Sequence, residues 1–285
     1  MRSALGGPSW RDTLGTPSIW SSSSSRDLIL AEVTTVTEAK HNHIPVFESD
    51  LFIDLDEAHF AFGIVAIGGT PTPGRKSEYA AYLRLRGNVY AHEMHYMPVE
   101  HLNADGTESD ADDERSVHFA VFENSDGMVR AVGGMRLILK SVERPGPLPI
   151  ERHYPEAFVD APASLTSVEV SRLIGRHEEV RTQSLIKWPL FLAGVAWVLE
   201  HGFPDAYGVV ERSLERRLRT DGVPVSELAG EKFVPEFNTI NRPIRVDVPS
   251  LGARMSSVHP HLFDSMRTVK HRFVYSGTIP KVTLA

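Results

Sequence analysis

The sequence predicts a mixed α/β fold, a central sheet flanked by helices, and three observations carry that prediction. Residues 116–122, 128–139 and 168–174 are short, rich in β-branched and aromatic residues, and bounded by turn-forming residues, as strands are. Residues 184–201 form a longer, strongly apolar stretch suited to a helix lying on a sheet. After it come a strand at 207–210, a helix at 214–219 and a strand at 244–248. Three strands, an apolar helix, then strand, helix and strand is the order of a mixed sheet covered by helices.

Taken in order, residues 1–27 hold Gly6-Gly7-Pro8 and a serine run at 21–25. Such a segment buries too little apolar surface to offset chain entropy, so a loose arm is expected. Residues 28–30 and 60–67 look strand-like, but Gly68-Gly69-Thr70-Pro71-Thr72-Pro73-Gly74 breaks the pattern. Residues 1–75 therefore read as an N-terminal extension, partly disordered, 76–250 as the domain, and 251–285 as an irregular tail.

Within the domain, 77–94 fits a helical face with Gly87 as its weak point, which would put Arg86 and Tyr90 on one side. A loop dense in Asp, Glu and Gly follows, then the strand pair at 116–122 and 128–139 with Asn124-Ser125-Asp126-Gly127 as its turn. Gly133-Gly134 in the returning strand suggests a bulge or a close backbone approach, and Arg136 lies on the same strand. Residues 144–163 hold five prolines and read as a long connection. On the strand at 168–174, Glu169 and Ser171 share one face, and Arg172 points the other way unless a bulge intervenes. The apolar helix is expected to be interrupted at Pro189 and to end at Gly202; the strand at 244–248 is read as an edge.

Composition excludes several classes. A hydrophobic content of 41% and a charged content of 24% are those of an ordinary folded chain. A net charge of −7 argues against nucleic-acid binding. The absence of cysteine removes disulfides, thiolate nucleophiles and cysteine metal sites. The uncharged apolar run at 188–199 is too short to span a bilayer, and the N-terminal stretch lacks the apolar core of a secretory signal. A soluble cytoplasmic protein is expected. In His92-Glu93-Met94-His95 the histidines are three apart, not the four of a zinc-protease helix, and His259 and His261 are read as surface residues beside Asp264. Neither a metal nor a bound cofactor is expected.

The polar residues form one ordered series: Arg86, Tyr90 and Tyr96, then Glu108-x-Asp110-x-x-Asp113, Arg136, and Glu169-x-Ser171-Arg172. Carboxylates gathered into one site need counter-charges, and the arginines are the obvious partners. This order resembles the autoinducer synthases, which make acyl-homoserine lactones and have the GNAT acyltransferase fold. Ser116-Val117-His118-Phe119 and Pro147-Leu148-Pro149-Ile150-Glu151 are similar to the N-acyl amino acid synthases and the exosortase-associated acyltransferases of the same fold. The resemblance covers about residues 76–220. Two departures matter. The family's aromatic pair is Phe then Trp, where this chain has Tyr90 and Tyr96. Its pyrophosphate-cradling glycine loop is absent after Ile174, where Gly175-Arg176-His177-Glu178-Glu179-Val180-Arg181 stands.

The resemblance implies transfer of a fatty acyl group from acyl carrier protein, or from CoA, to the amine of an amino-acid-like acceptor. Glu169 is the expected base, acting directly or through water, in one motif with Ser171 and Arg172. Backbone N–H groups near Arg172 would meet the oxyanion if a bulge exposes them. Arg86, Tyr90, Tyr96, Glu108, Asp110, Asp113 and Arg136 form the expected substrate-binding set, with a purely structural role open for Asp110, Asp113 and Arg136. A lactone synthase using S-adenosylmethionine and a non-catalytic acyl-binding protein are the alternatives. Trp188, Leu190, Phe191, Leu192, Val195 and Val198 are read as core, with an acyl tunnel as the second reading. Arg212, Arg216, Arg217 and Arg219 form either a solvated face or a docking patch for an acidic carrier protein.

Overall fold

The structure, a computed structural model, describes residues 61–68, 76–125, 128–178, 180–258 and 275–276. The loose arm, the strand at 28–30, the tip of the 124–127 turn, and His259 and His261 lie outside the described residues. The elements are β1 (Ala61–Gly68), α1 (Lys76–Gly87), β2 (Ser116–Ser125), β3 (Met128–Lys140), α2 (Pro149–His153), β4 (Ser167–Gly175) and α3 (Val180–Glu200). They continue with β5 (Asp205–Val210), α4 (Arg212–Thr220), β6 (Val225–Glu227), β7 (Lys232–Val234), β8 (Thr239–Asp247), α5 (Val248–Val258) and β9 (Tyr275–Ser276).

The strands lie in the order β6-β8-β5-β4-β3-β2-β1-β9, with β7 pairing beside β6 along β8. β1 to β4 form an antiparallel meander, and β4 then pairs with β5 in parallel. Three boundary expectations are corrected. β1 pairs with β2 from Ala61 to Gly68, so the sheet takes in a strand on the N-terminal side of residue 76. β8 is not an edge strand, because β5 lies on one side and β6 and β7 on the other. Two partners of three residues each are too short to announce themselves by periodicity. The tail is not wholly irregular, since α5 runs to Val258 and β9 pairs in parallel with β1.

Period-two alternation divides β2, β3 and β4 into two unlike faces. Val117, Phe119, Met135, Leu137, Leu139 and Val168 pack with Ile186, Leu190, Ala193 and Trp197 of α3. Each of the larger aliphatic and Phe side chains contributes about 1.5–3 kcal/mol by leaving water, enough to hold α3 helical through Pro189, where an interruption was expected. α3 stops at Gly202, whose φ of +67° allows the Phe203 N–H to reach Val198 O at 3.3 Å.

The opposite face carries two apolar clusters. Tyr82 and Leu83 of α1 cover Ala120 and Phe122 at one end. Leu148, Ile150 and Tyr154 cover Ile138 and Tyr207 at the other. Gly133 and Gly134 serve both faces: a Cβ on Gly133 would stand 2.3 Å from Ile186, and one on Gly134 would stand 2.2 Å from the Tyr82 ring. Between the two apolar clusters lies a belt of buried charge.

Candidate active site

The belt begins at the end of α1. Gly87 lets the acidic loop come close, for a Cβ there would meet Gly106 O at 2.5 Å. The Glu108 N–H then donates to Leu83 O at 3.1 Å, satisfying a carbonyl near the helix end. Beyond Gly87 the chain widens into a π-helical turn, Asn88–Glu93, so the expected helix across 77–94 exists as two unlike pieces. Arg86 and Tyr90 stay on one side of it. Arg86 is fully buried, with Nε on Glu108 Oε2 and Nη1 on Asp113 Oδ1 at 2.8 Å.

Asp113 is the hub. Its Oδ1 also accepts from Arg136 Nη1 at 2.6 Å, and its Oδ2 takes the Asp110 N–H at 2.9 Å. The same Arg136 Nη1 reaches Asp110 Oδ1 at 2.6 Å, and Arg136 Nε donates to Ser171 Oγ at 3.0 Å. From β4, Arg172 donates to Glu108 at 3.0 and 3.3 Å and to Asp110 at 3.4 Å. Its guanidinium lies 4.9 Å from the centre of the Tyr90 ring. Tyr90 in turn stacks on Tyr96, with ring centres 5.9 Å apart. Tyr96 Oη donates to Glu211 Oε1 at 3.3 Å, just beyond β5.

Strict alternation would have sent Arg172 to the α3 face. It reaches the network because the β3–β4 register shifts between Gly134 and Arg136, and Arg172 itself sits at φ +55°. Only a few per cent of non-glycine residues adopt that conformation. One extra residue in β4 thus puts Ser171 and Arg172 both on the network.

The carboxylates fall into two electrostatic groups. Burial raises the proton affinity of Glu108, but the Arg172 and Arg86 guanidiniums overcome it and hold the carboxyl down at about 2. Asp113, opposed by burial and drawn down by Arg86, Arg136 and His118, also lies well below the usual range. Glu169 behaves the other way. Burial pushes it up to about 7, against a hydrogen bond from the Ile150 N–H at 2.8 Å and the nearby charge of Arg136 and Arg152. Environments that separate the affinities of similar acids are a common basis for acid–base chemistry.

Three groups near the network had no site role expected from the sequence. His118, the register partner of Arg136, is fully buried, with Nε2 3.4 Å from both Asp113 O and Tyr79 Oη. Burial lowers its pKa to about 3, so the ring is neutral in ordinary buffers. Strand alternation from Ser116 would have revealed its face. Asp112, bound to Arg115 and to Arg152 of α2, ties the acidic loop to that helix. The Ile150 amide had no signal in the side-chain pattern at all.

β4 and β5 pair only from Ser167–Asp205 to Glu169–Tyr207. Beyond that point the two strands part, and residues 170–173 of β4 are half-exposed. Glu169 stands at the root of this opening and the Arg172 bulge on its side. The sequence-predicted site residues therefore gather as one network of Arg86, Glu108, Asp110, Asp113, Arg136, Ser171 and Arg172, with the two tyrosines over it and Glu169 beside it. On α4 the basic patch is half neutralised, since Arg217 pairs with Asp221 and Arg219 with Glu215. Arg212 and Arg216 are exposed. Among the described residues no cluster of three or more His, Asp or Glu side chains is placed to hold a metal, and no helix is long and apolar enough to cross a membrane.

Known proteins share this arrangement of strands. Residues 85–188 match the family model of an acetyltransferase (GNAT) domain. Among solved structures, BjaI, a CoA-dependent acyl-homoserine lactone synthase crystallised with SAM and isopentyl-CoA, is 19% identical with a TM-score of 0.56. That match covers 78% of this chain and 96% of BjaI. MesI, another CoA-dependent acyl-homoserine lactone synthase, is 18% identical at a TM-score of 0.52, covering 76% of this chain and 99% of its own. The AHL synthase LasI is 15% identical at 0.52, with coverage of 71% and 95%. No curated protein matches the sequence. Residues 85–188 are thus similar to a GNAT acetyltransferase domain, and the chain has the fold seen in the acyl-homoserine lactone synthases.

Proposed function

We propose that the chain is an N-acyltransferase that moves a fatty acyl group from an acyl carrier protein thioester to the amine of an amino-acid-like acceptor. The observation that carries this reading is the parting of β4 and β5 immediately beyond Glu169, with the Arg172 bulge on its flank. Strand edges that part inside a sheet leave backbone N–H and C=O groups without ladder partners. An extended acyl-pantetheine chain, with its own amides, supplies them.

In this site the amine nitrogen attacks the thioester carbon, the C–S bond breaks, and the thiolate leaves to take up a proton. Glu169 removes the proton that the attacking amine must lose, and its affinity near 7 suits that task. Backbone N–H groups at the bulge meet the developing oxyanion. The members of the network that reach solvent are Asp110 and, less fully, Arg172. One carboxylate and one guanidinium suit an acceptor that carries both an ammonium and a carboxylate group. Arg86, Asp113, Glu108 and Arg136 hold those two in place, and the Tyr90–Tyr96 stack walls the acceptor side.

A carrier-protein donor is favoured by the lack, in the sequence after Ile174, of a glycine loop to cradle a pyrophosphate, and by exposed Arg212 and Arg216, which suit an acidic partner. Such donors are cytoplasmic, and we assign the reaction there. The likeness of fold to BjaI and LasI makes a lactone synthase using S-adenosylmethionine the second reading. The two separate in one assay: acyl carrier protein thioesters and acyl-CoAs of several chain lengths, each offered amino acids or S-adenosylmethionine, with products identified by mass spectrometry. N-acyl amino acids from the carrier-protein donor are expected. A lactone overturns the acceptor class, efficient turnover of acyl-CoA alone overturns the donor, and donor binding without product overturns catalysis.

A further inference from the structure

The short helix α2 delivers one backbone N–H to Glu169, and a clamp of side chains fixes that delivery. Pro149, first in the helix, has no N–H, so Ile150 is the first residue of α2 with a donor to offer. That donor meets Glu169 Oε2 at 2.8 Å. The start of α2 is held by the carboxylate of Glu151, which accepts the Leu148 N–H at 2.7 Å and the Ala163 N–H at 3.2 Å. Glu151 is itself gripped from β3 by Lys140 Nζ, at 2.7 and 2.9 Å. Arg115 adds bonds to Gly146 O and Pro147 O at 2.7 Å each.

Charged and titratable groups face Glu169 from each neighbouring element: Arg136 from β3, Arg152 from α2, Asp112 from the acidic loop, and Tyr207, its register partner, from β5. Arg136 is already engaged by Asp110, Asp113 and Ser171, and Arg152 by Asp112. The Ile150 amide is thus the contact aimed directly at the carboxylate. It favours the charged form, against the burial that disfavours it.

We infer that Glu151, clamped by Lys140, is a positioning residue for acyl transfer: by holding the Ile150 amide against Glu169 it sets the pH at which Glu169 becomes a base. This rests on the reading of Glu169 as the base. One backbone N–H on a carboxylate lowers its pKa by about one unit, so loosening it raises the pKa by about as much.

The test compares pH profiles of kcat/KM for the wild type, Glu151→Gln, Lys140→Arg and Glu169→Gln. In Glu151→Gln the acid limb should rise by about one pH unit, so the rate at pH 7 falls about fivefold while most of the loss is recovered at pH 9. Lys140→Arg, which keeps the ion pair, should retain the wild-type limb. A Glu151→Gln limb at the wild-type pH, or an even loss at every pH, overturns the inference. If Glu169→Gln keeps the acid limb, the assignment of the base itself fails. If it abolishes the limb while Glu151→Gln does not move it, only the positioning role fails. A second readout needs no turnover: the carboxyl ¹³C titration of Glu169, assigned by its loss in Glu169→Gln, should have a higher midpoint in Glu151→Gln, and an unchanged midpoint overturns the inference.

Discussion

Replacing Glu108 by glutamine removes one charge from the most buried part of the network and leaves the shape of the side chain intact. In the folded protein the Glu108 carboxyl lies at about 2, against an ordinary value of 4.5. A carboxyl depressed in this way stabilises the fold above its unfolded pKa, and the contribution is lost as pH falls through the folded one. Linkage puts the contribution at about 3 kcal/mol at pH 7 and about half of that at pH 3. Below about pH 2, glutamate and glutamine are both neutral and the difference closes. The measurement is urea unfolding of the wild type and Glu108→Gln from pH 7 down to pH 3, read as a difference so that shared groups cancel. A gap near 3 kcal/mol that narrows by about half is the expected result. A gap below about 1 kcal/mol at pH 7, or one that does not change with pH, would refute the claim that Arg86 and Arg172 hold this carboxyl down.

Gly134→Ala should cost about 1–3 kcal/mol, because the new methyl group must displace the Tyr82 ring that α1 lays on the sheet; a variant as stable as the wild type in thermal unfolding would contradict the close approach. Arg172→Gly and Arg172→Ala both remove the bonds to Glu108 and the contact with Tyr90, but only glycine relaxes the left-handed backbone. The glycine variant should therefore be the more stable of the two by about 1 kcal/mol, and the reverse order in urea unfolding would argue against the bulge.

Much of this site could be read from the sequence because strand alternation and helical spacing are local rules. Arg136 on a strand, Glu169 and Ser171 on one face, Arg86 level with Tyr90, the close approach at Gly133-Gly134 and the helix end at Gly202 all follow from period and from glycine. What escaped depends on chain crossings. The bulge that turns Arg172 toward Glu108 comes from register against β3, which alternation alone does not specify. The inclusion of β1 in the sheet is visible only once β2 is placed beside it. The basic run on α4 looked uniform because two of its arginines pair with Asp221 and Glu215, acids on the same helix turns. The Pro147 to Glu151 motif stood out as a resemblance, yet its structural effect is a backbone N–H, which no side-chain pattern displays.

The root of the β4–β5 opening is proposed as a site of acyl transfer, with Glu169 as its base. That assignment is tested most directly by the rate of amide formation by wild type and Glu169→Gln at pH 8, with thioester and amine both saturating. A loss of about 10²–10⁴-fold in kcat, with the KM for the thioester little changed, is the predicted result. A Glu169→Gln enzyme within about threefold of the wild type, or one whose loss lies wholly in KM, would contradict it.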